Sequence, residues 1–504
     1  MTLLLRCLLI VLVLYGQHYS QVRADLVIIN ATVRTMSPAG RTAQAVAIAD
    51  NKILAVGTDR EITAFAGPAT EIIDARGRLV LPGFNDSHVH FTAIGNIFSS
   101  VDLSGVRSHE ELVTKIAEFA RFLPEGRWIL GRGWDHQKWT QKVSPTKKLI
   151  DAVTSKNPLL VYNADGKTAL VNSLALAKGG ISRASRISTE SEIERDADGE
   201  PTGILRGPSV SRVSLTIPQP HVQQWPDLIE TASNYAASLG VTSVQDVHSD
   251  ELSDTYRALA ARGKLKTRVY DCAPLSSWSK VAVAGITAAT GDGMVRTGCL
   301  KHFSDGDEES TDELVRDIAA ADKAGLQVMM HAIGPEANAI VLGVFERVIA
   351  ANGPRDRRFR VEHAQNARKA DLPRFARSQI IASMQPWLFY RPGRPETDFR
   401  TLLNSGARLT FGSDASMTDL DPLLGIFAAV TGNGSISVDQ AVRAFTADAA
   451  YAEFQENVKG TIEPGKLADI VILSEDIFRV LPAKLRETRV ILTIMDGKVV
   501  YRSL

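Results

Sequence analysis

LQVMMHAIG, residues 326–334, is an apolar run that carries a histidine near its end, and RFRVEHAQ, residues 358–365, repeats that arrangement one interval later. His331 and His363 are 32 positions apart, and Lys301, which ends an earlier run, lies 30 positions before His331. A barrel of about 250 residues built from eight βα units allots roughly 31 residues to each unit. The three polar strand ends therefore recur at the pitch of a closed parallel barrel. Between them the pattern is helical: DELVRDIAAADKAG (312–325) and AIVLGVFERVIAANG (339–353) end in Gly325 and Gly353, where a helix C-cap belongs. Such alternation of strand and helix argues a parallel sheet. Asp414, in RLTFGSDAS (408–416), lies 51 positions past His363, and IIASMQP (380–386) supplies a strand between them, so Asp414 closes strand eight. Working backward, TRVYDC (267–272) and VTSVQDV (241–247) serve as strands three and two, and VLPGFNDSHVH (80–90) as strand one. The expected fold is α/β, a (β/α)8 TIM barrel over residues 82–458.

The interval from His90 to Val241 is far longer than one unit, so residues 95–225 read as an inserted lobe running over the barrel mouth. Short alternating runs precede the barrel, among them LVIIN (26–30) and AVAIA (45–49), and others follow it, such as ADIVIL (468–473) and RVILTIM (489–495). This is the pattern of a small antiparallel sheet. Neither piece has enough strands to stand alone, so residues 25–81 and 459–504 are expected to pair into one composite β-sandwich domain. Residues 1–24 read as a signal peptide: Arg6 supplies a positive start, CLLIVLVLY (7–15) is too short to span a bilayer, and Val22 and Ala24 occupy the small-residue cleavage positions. The expectation is an exported chain (secreted, periplasmic or lumenal) that begins near Asp25 and keeps no stable membrane span. Cys272 and Cys299 remain after cleavage; burial as small hydrophobes is expected, with a single bridge as the alternative in an oxidising compartment. The 504 residues carry 57 basic and 57 acidic side chains, a balance that offers no electrostatic footprint for nucleic acid. A homo-oligomer is compatible with this surface.

His88 and His90 form an HxH pair whose side chains share one face of a strand. Two neutral imidazoles aimed at one point suit a zinc-like ion, and Asp86 is placed to orient one of them through its second ring nitrogen. A single histidine at a strand end is usually a satisfied core residue. Here His331 and His363 recur at barrel register, and barrel sites lie at the C-terminal strand ends, which favours a metal centre. Asp414 has three readings: ligand, proton acceptor for metal-bound water, or N-cap of the next helix. Four converging histidines favour the base. Gly412 is expected to permit a tight turn.

Together these residues resemble the amidohydrolase superfamily, and within it amidohydrolase family 3, the branch of N-substituted formamide deformylase-like proteins. The resemblance runs through LPGFNDSHVHF (81–91), GRGWDHQKW (131–139), DGKTALVNSLAL (165–176), GVTSVQDV (240–247), LKHFSDG (300–306), HAIG (331–334), RVEHAQ (360–365), GSDA (412–415) and KGTIEPGKLADIVIL (459–473), in family order across nearly the whole chain. It implies that His88, His90, Lys301, His331, His363 and Asp414 are metal ligands, that Lys301 is carboxylated where two metals are bridged, and that Asp414 moves the proton. Lys167 stands where the family usually has a histidine, DGDEESTDEL (305–314) replaces a longer loop and puts Asp307, Glu308 and Glu309 at the mouth, and Trp387 replaces a common histidine. Trp134, Lys167 and Trp387 are the candidate substrate contacts, although packing of the inserted lobe is the favoured reading of Trp134 and Trp139; His136 and His248 are further candidates, and His302 is expected to face away from the centre.

The reading is a hydrolase of carbon–nitrogen bonds other than peptide bonds, acting on a small amide or cyclic amide through metal-activated hydroxide, with one or two divalent ions and zinc first. Two alternatives stay open: hydrolysis of an ester, lactone or phosphoester by the same site, or a non-catalytic metal-containing protein that binds a small ligand.

Overall fold

A computed structural model describes residues 23–503 apart from 99, 122, 124, 186–191, 219–223, 248–251, 304–310, 391–398, 416 and 432–433. The signal-peptide reading of residues 1–22, His248, and the acidic group Asp307, Glu308 and Glu309 lie outside the described residues. Among the described residues, eight strands form one parallel sheet: β1 (Phe84–Val89), β2 (Val241–Asp246), β3 (Arg268–Pro274), β4 (Val295–His302), β5 (Gln327–Ile333), β6 (Arg360–Gln365), β7 (Ile381–Met384) and β8 (Leu409–Phe411). Each pairs in parallel with the next in chain order. A parallel bridge between Val89 and Ala415 joins the two ends, so the sheet closes as a TIM barrel. The intervening helices include Thr311–Lys323 and Pro335–Asn352, and Gly353 caps the second with φ of 75°.

The run read as strand one divides in two. Leu79–Pro82 pairs with Thr32–Arg34 and Ile470–Leu473 outside the barrel, whereas β1 begins at Phe84. Gly83 is the joint, because a Cβ there would lie 2.2 Å from Thr242 Oγ1. The strands around the barrel form two sheets. One runs Lys52–Gly57, Ala45–Ala49, Leu26–Ile29, Glu71–Asp74, and the other runs Lys498–Arg502, Val490–Met495, Ile470–Leu473, Leu79–Pro82, Thr32–Arg34, Thr42–Ala43. Neither is purely antiparallel: Leu26–Ile29 lies parallel to Glu71–Asp74, and Thr32–Arg34 lies parallel to Leu79–Pro82. Their inner faces share one apolar cluster that includes Ile28, Val46, Val80, Ile470 and Ile494.

Thr92–Ala232 is a separate compact unit. Its sheet runs Ile193–Arg195, Pro201–Arg206, Thr168–Val171, Leu159–Asn163, Ile129–Trp134, Val101–Asp102. Leu112, Ile116, Ile129, Trp134, Trp139 and Leu170 fill its core.

Cys272 on β3 and Cys299 on β4 are disulfide-bonded rather than free. They are register partners on adjacent strands with Cα atoms 4.6 Å apart, which sequence distance alone could not reveal. No helix among the described residues is long and apolar enough to cross a membrane.

Arg268, at the start of β3, ties the barrel to the terminal sheet. It donates through Nε and Nη2 to both carboxylate oxygens of Asp469, at 2.7 and 2.9 Å, and through Nη2 to Asp496 at 2.9 Å. Burial would raise the Asp469 carboxyl, but Arg268 outweighs it and holds the group below the ordinary range. Arg268→Leu strands that buried charge and is expected to destabilise the protein by about 3–5 kcal/mol at pH 7. Equilibrium unfolding checks it. The gap should narrow as pH is lowered, because protonating Asp469 removes the uncompensated charge.

Candidate metal centre

Barrel closure sets the first part of the site. His88 and His90 occupy alternate positions at the end of β1, and the backbone of β1 continues into hydrogen bonds with the segment after β8. Asp414 N–H donates to His88 O at 2.8 Å, and His90 N–H donates to Ala415 O at 2.6 Å. The Asp414 carboxylate thereby arrives beside both imidazoles: its Oδ1 lies 3.2 Å from His90 Nε2 and 3.5 Å from His88 Nε2. Donor atoms of His88, His90 and Asp414 all lie within 4.8 Å of one another.

The other strand ends complete an arc of rings. The His88 ring is centred 5.9 Å from His90 and 4.9 Å from His363, and His331 lies 4.4 Å from His363. Lys301, buried at the end of β4, has its ammonium 4.3 Å from the centre of the Phe303 ring. Its charge is felt by both His88 and His363. Burial pushes the His88 imidazole down to about 4, with Lys301 acting in the same sense and Glu362 against it. Burial likewise lowers His363, aided by the neighbouring His88 and Lys301 charges. Burial thus favours the neutral form of His88 and His363, the form that ligates metal. Burial alone would raise the Asp414 carboxyl, but the hydrogen bond with His90 works against it and the group lies below its ordinary value. Neutral imidazoles facing a carboxylate oxygen are a donor set that fits a divalent ion.

Glu362 is the residue that sequence reasoning missed. Its Oε2 lies 2.5 Å from His88 Nδ1, and its Oε1 accepts from Arg360 Nε at 2.7 Å. Both side chains are fully buried. Burial would raise the Glu362 carboxyl, yet Arg360 and His88 pull it well below the ordinary carboxylate range. An ionised Glu362 on Nδ1 leaves the Nε2 lone pair of His88 toward Asp414 and the other rings. Strict alternation along a strand would send Glu362 and His363 to opposite faces. His363 and Ala364 have φ of 70° and 47°, which breaks the alternation and brings both side chains to the site. The pair was visible as Glu-His in RVEHAQ; the backbone twist that makes it useful was not.

Asp86 does not orient an imidazole. Its Oδ1 accepts from the backbone N–H of His88 and Ser413, each at 3.0 Å, and so stitches β1 to the chain after β8. Gly412 is needed for that close approach rather than for a turn: a Cβ would meet His88 N at 2.5 Å and Asp86 Oδ1 at 2.7 Å. Nor does Asp414 cap a helix. The next helix, Pro422–Val430, is capped by Asp421, which accepts from Leu423 N–H at 2.9 Å.

With this geometry in place, comparison with known proteins identifies the lineage. The amidohydrolase family profile matches residues 71–501. The chain belongs to the amidohydrolase family. It is 32% identical to Protein LONG AFTER FAR-RED 3 of Arabidopsis thaliana, over 95% of this chain and 92% of that protein. It is 27% identical to the N-substituted formamide deformylase of Arthrobacter pascens, over 95% and 98% of the two chains. An uncharacterized metal-dependent hydrolase from Pyrococcus furiosus shares its fold with a TM-score of 0.70 and 26% identity, over 90% of this chain and 100% of that one.

The surroundings of the expected substrate contacts in this amidohydrolase differ from one another. Trp134 is 1% exposed inside the core of its own unit and donates Nε1–H to Val161 O at 3.0 Å, so it packs rather than binds. Lys167 is exposed in the turn between Leu159–Asn163 and Thr168–Val171, where its backbone N–H donates to Asp165. Trp387 stacks on Tyr390 with centroids 5.5 Å apart and meets Phe427 edge-on. His136 lies beside Trp134 and Trp139 in the separate unit.

Glu362→Gln removes the charge that fixes the His88 ring while keeping its volume. Metal affinity, measured by competition with a chromogenic chelator, is expected to fall about 10–100-fold. Unchanged affinity would show that Glu362 does not set the ligand.

Proposed function

We propose that this amidohydrolase cleaves a carbon–nitrogen bond other than a peptide bond, in a small amide or cyclic amide. One observation carries the reading: the buried carboxyl of Asp414 faces Nε2 of both His88 and His90. The name of the formamide deformylase relative supports the bond class. His88, His90, His331, His363 and Asp414 would hold the metal, zinc first, and a carboxylated Lys301 would favour a second ion. When bound, the metal supplies Lewis acidity and lowers the pKa of water. The chain's own part is proton handling. Glu362 keeps the Nδ1 proton of His88 in place. Asp414 takes the proton of the attacking water at its carboxylate and delivers it to the leaving nitrogen.

A panel of formamides, hydantoins, lactones and phosphotriesters tests the bond class, with turnover expected on the first two. Asp414→Asn should lower kcat on the best substrate about 10²–10⁴-fold. Elemental analysis of the same sample separates loss of the proton acceptor from loss of metal. A protein that merely binds ligand would keep its function in that variant.

We also propose that the chain is exported. The buried Cys272–Cys299 bond supports an oxidising compartment. Amino-terminal sequencing of the mature protein should begin near Asp25; a start at Met1 would overturn export by cleavage.

A further inference from the structure

The candidate ligands are followed, along three separate strand ends, by apolar side chains that remain in contact with solvent. Phe303 lies two residues past Lys301 and is 44% exposed; Ile333 lies two past His331 and is 43% exposed; Met417 lies three past Asp414 and is 71% exposed. Phe303 is the most informative. Its ring is nearly parallel to that of His90, with centroids 6.4 Å apart, and lies 6.3 Å from the ring of His331. The Lys301 ammonium sits over it at 4.3 Å. The ring thus borders three candidate ligands at once while keeping much of its surface open.

A phenylalanine that only filled space would be covered, as Phe84, Phe91 and Phe411 are on or beside β1 and β8. Large apolar surface left bare beside a compact polar cluster is the composition of a small-molecule site, in which polar groups set orientation and apolar walls set affinity. Phe303 adds a flat face, on which a planar group can lie offset-stacked. We propose that Phe303 is a specificity-determining residue: it takes the apolar substituent next to the scissile group of the substrate and favours a planar, aromatic one. The inference rests on the metal-dependent site proposed above but not on which bond that site cuts.

The test therefore uses binding as well as turnover. Acetohydroxamic acid and benzohydroxamic acid carry the same metal-binding group and differ in the substituent. Their dissociation constants for the zinc-loaded protein are measured by titration calorimetry. Benzohydroxamate is expected to bind at least tenfold more tightly than acetohydroxamate. In Phe303→Ala that preference should fall below threefold, and in Phe303→Leu it should lie between the two. A substitution that only disturbed the metal centre would weaken both compounds together and leave their ratio intact. Ile72→Ser, which alters an exposed apolar side chain on strand Glu71–Asp74 outside the barrel, should leave the ratio at its wild-type value. A wild-type ratio near one, or a ratio unchanged in Phe303→Ala, overturns the proposal. Failure to hydrolyse any amide while the hydroxamate ratio behaves as expected would overturn the carbon–nitrogen reading alone.

Discussion

Closure of the barrel between β1 and β8 is the constraint on which the site depends. An open sheet of the same strands would leave His88 and Asp414 on opposite edges. Closure is held by few groups: the Val89–Ala415 bridge, the Asp414 and His90 backbone hydrogen bonds, and the Asp86 carboxylate, which accepts from N–H groups on both strands. Burial pushes the Asp86 carboxyl up to about 7, against the hydrogen bonds from Ser413 and His88. A buried carboxyl at that seam, held by the backbone N–H groups of His88 and Ser413 and by the Ser413 side chain, is costly to keep.

The barrel interior beneath the site is polar to an unusual degree. Arg360 is fully buried and donates to Glu362, to Gln245, to Ser87 O at 2.5 Å and to Ser383 Oγ at 3.0 Å, drawing on four strands. Aliphatic packing would serve stability as well or better. What it would not do is fix the ring of His88 through Glu362. The backbone bears a similar cost: His363 and Asp414 hold φ of 70° and 57°, which β-carbon sterics disfavour by about 1–3 kcal/mol each. Strain at both of these positions, one on β6 and one after β8, is tolerated because the surrounding strands leave the chain no other path.

The terminal sheet anchors the opposite side of this framework. Beyond the Arg268–Asp469 pair, Glu453 gathers Arg296, Asn85 and Lys459 into a buried cluster, with Lys459 Nζ 2.7 Å from its carboxylate. Asn85 and Arg296 belong to β1 and β4, so that cluster reaches strands that also carry candidate ligands.

The amino-acid sequence by itself determined the barrel and the strand ends that carry its chemistry. Hydrophobic periodicity and a repeat near 31 residues are local properties, legible without coordinates. His88, Lys301, His331 and His363 lie in the C-terminal parts of β1, β4, β5 and β6, and His90 and Asp414 lie just past β1 and β8. Tertiary structure alone decided who touches whom across the closed ring. It gave the orienting task to Glu362 instead of Asp86, joined Cys272 to Cys299, buried Trp134 in a core and left Phe303 partly exposed. Each of these turns on a contact between residues distant in the chain, or on one residue in a left-handed conformation. Pattern reading assumes regular alternation and has no term for either.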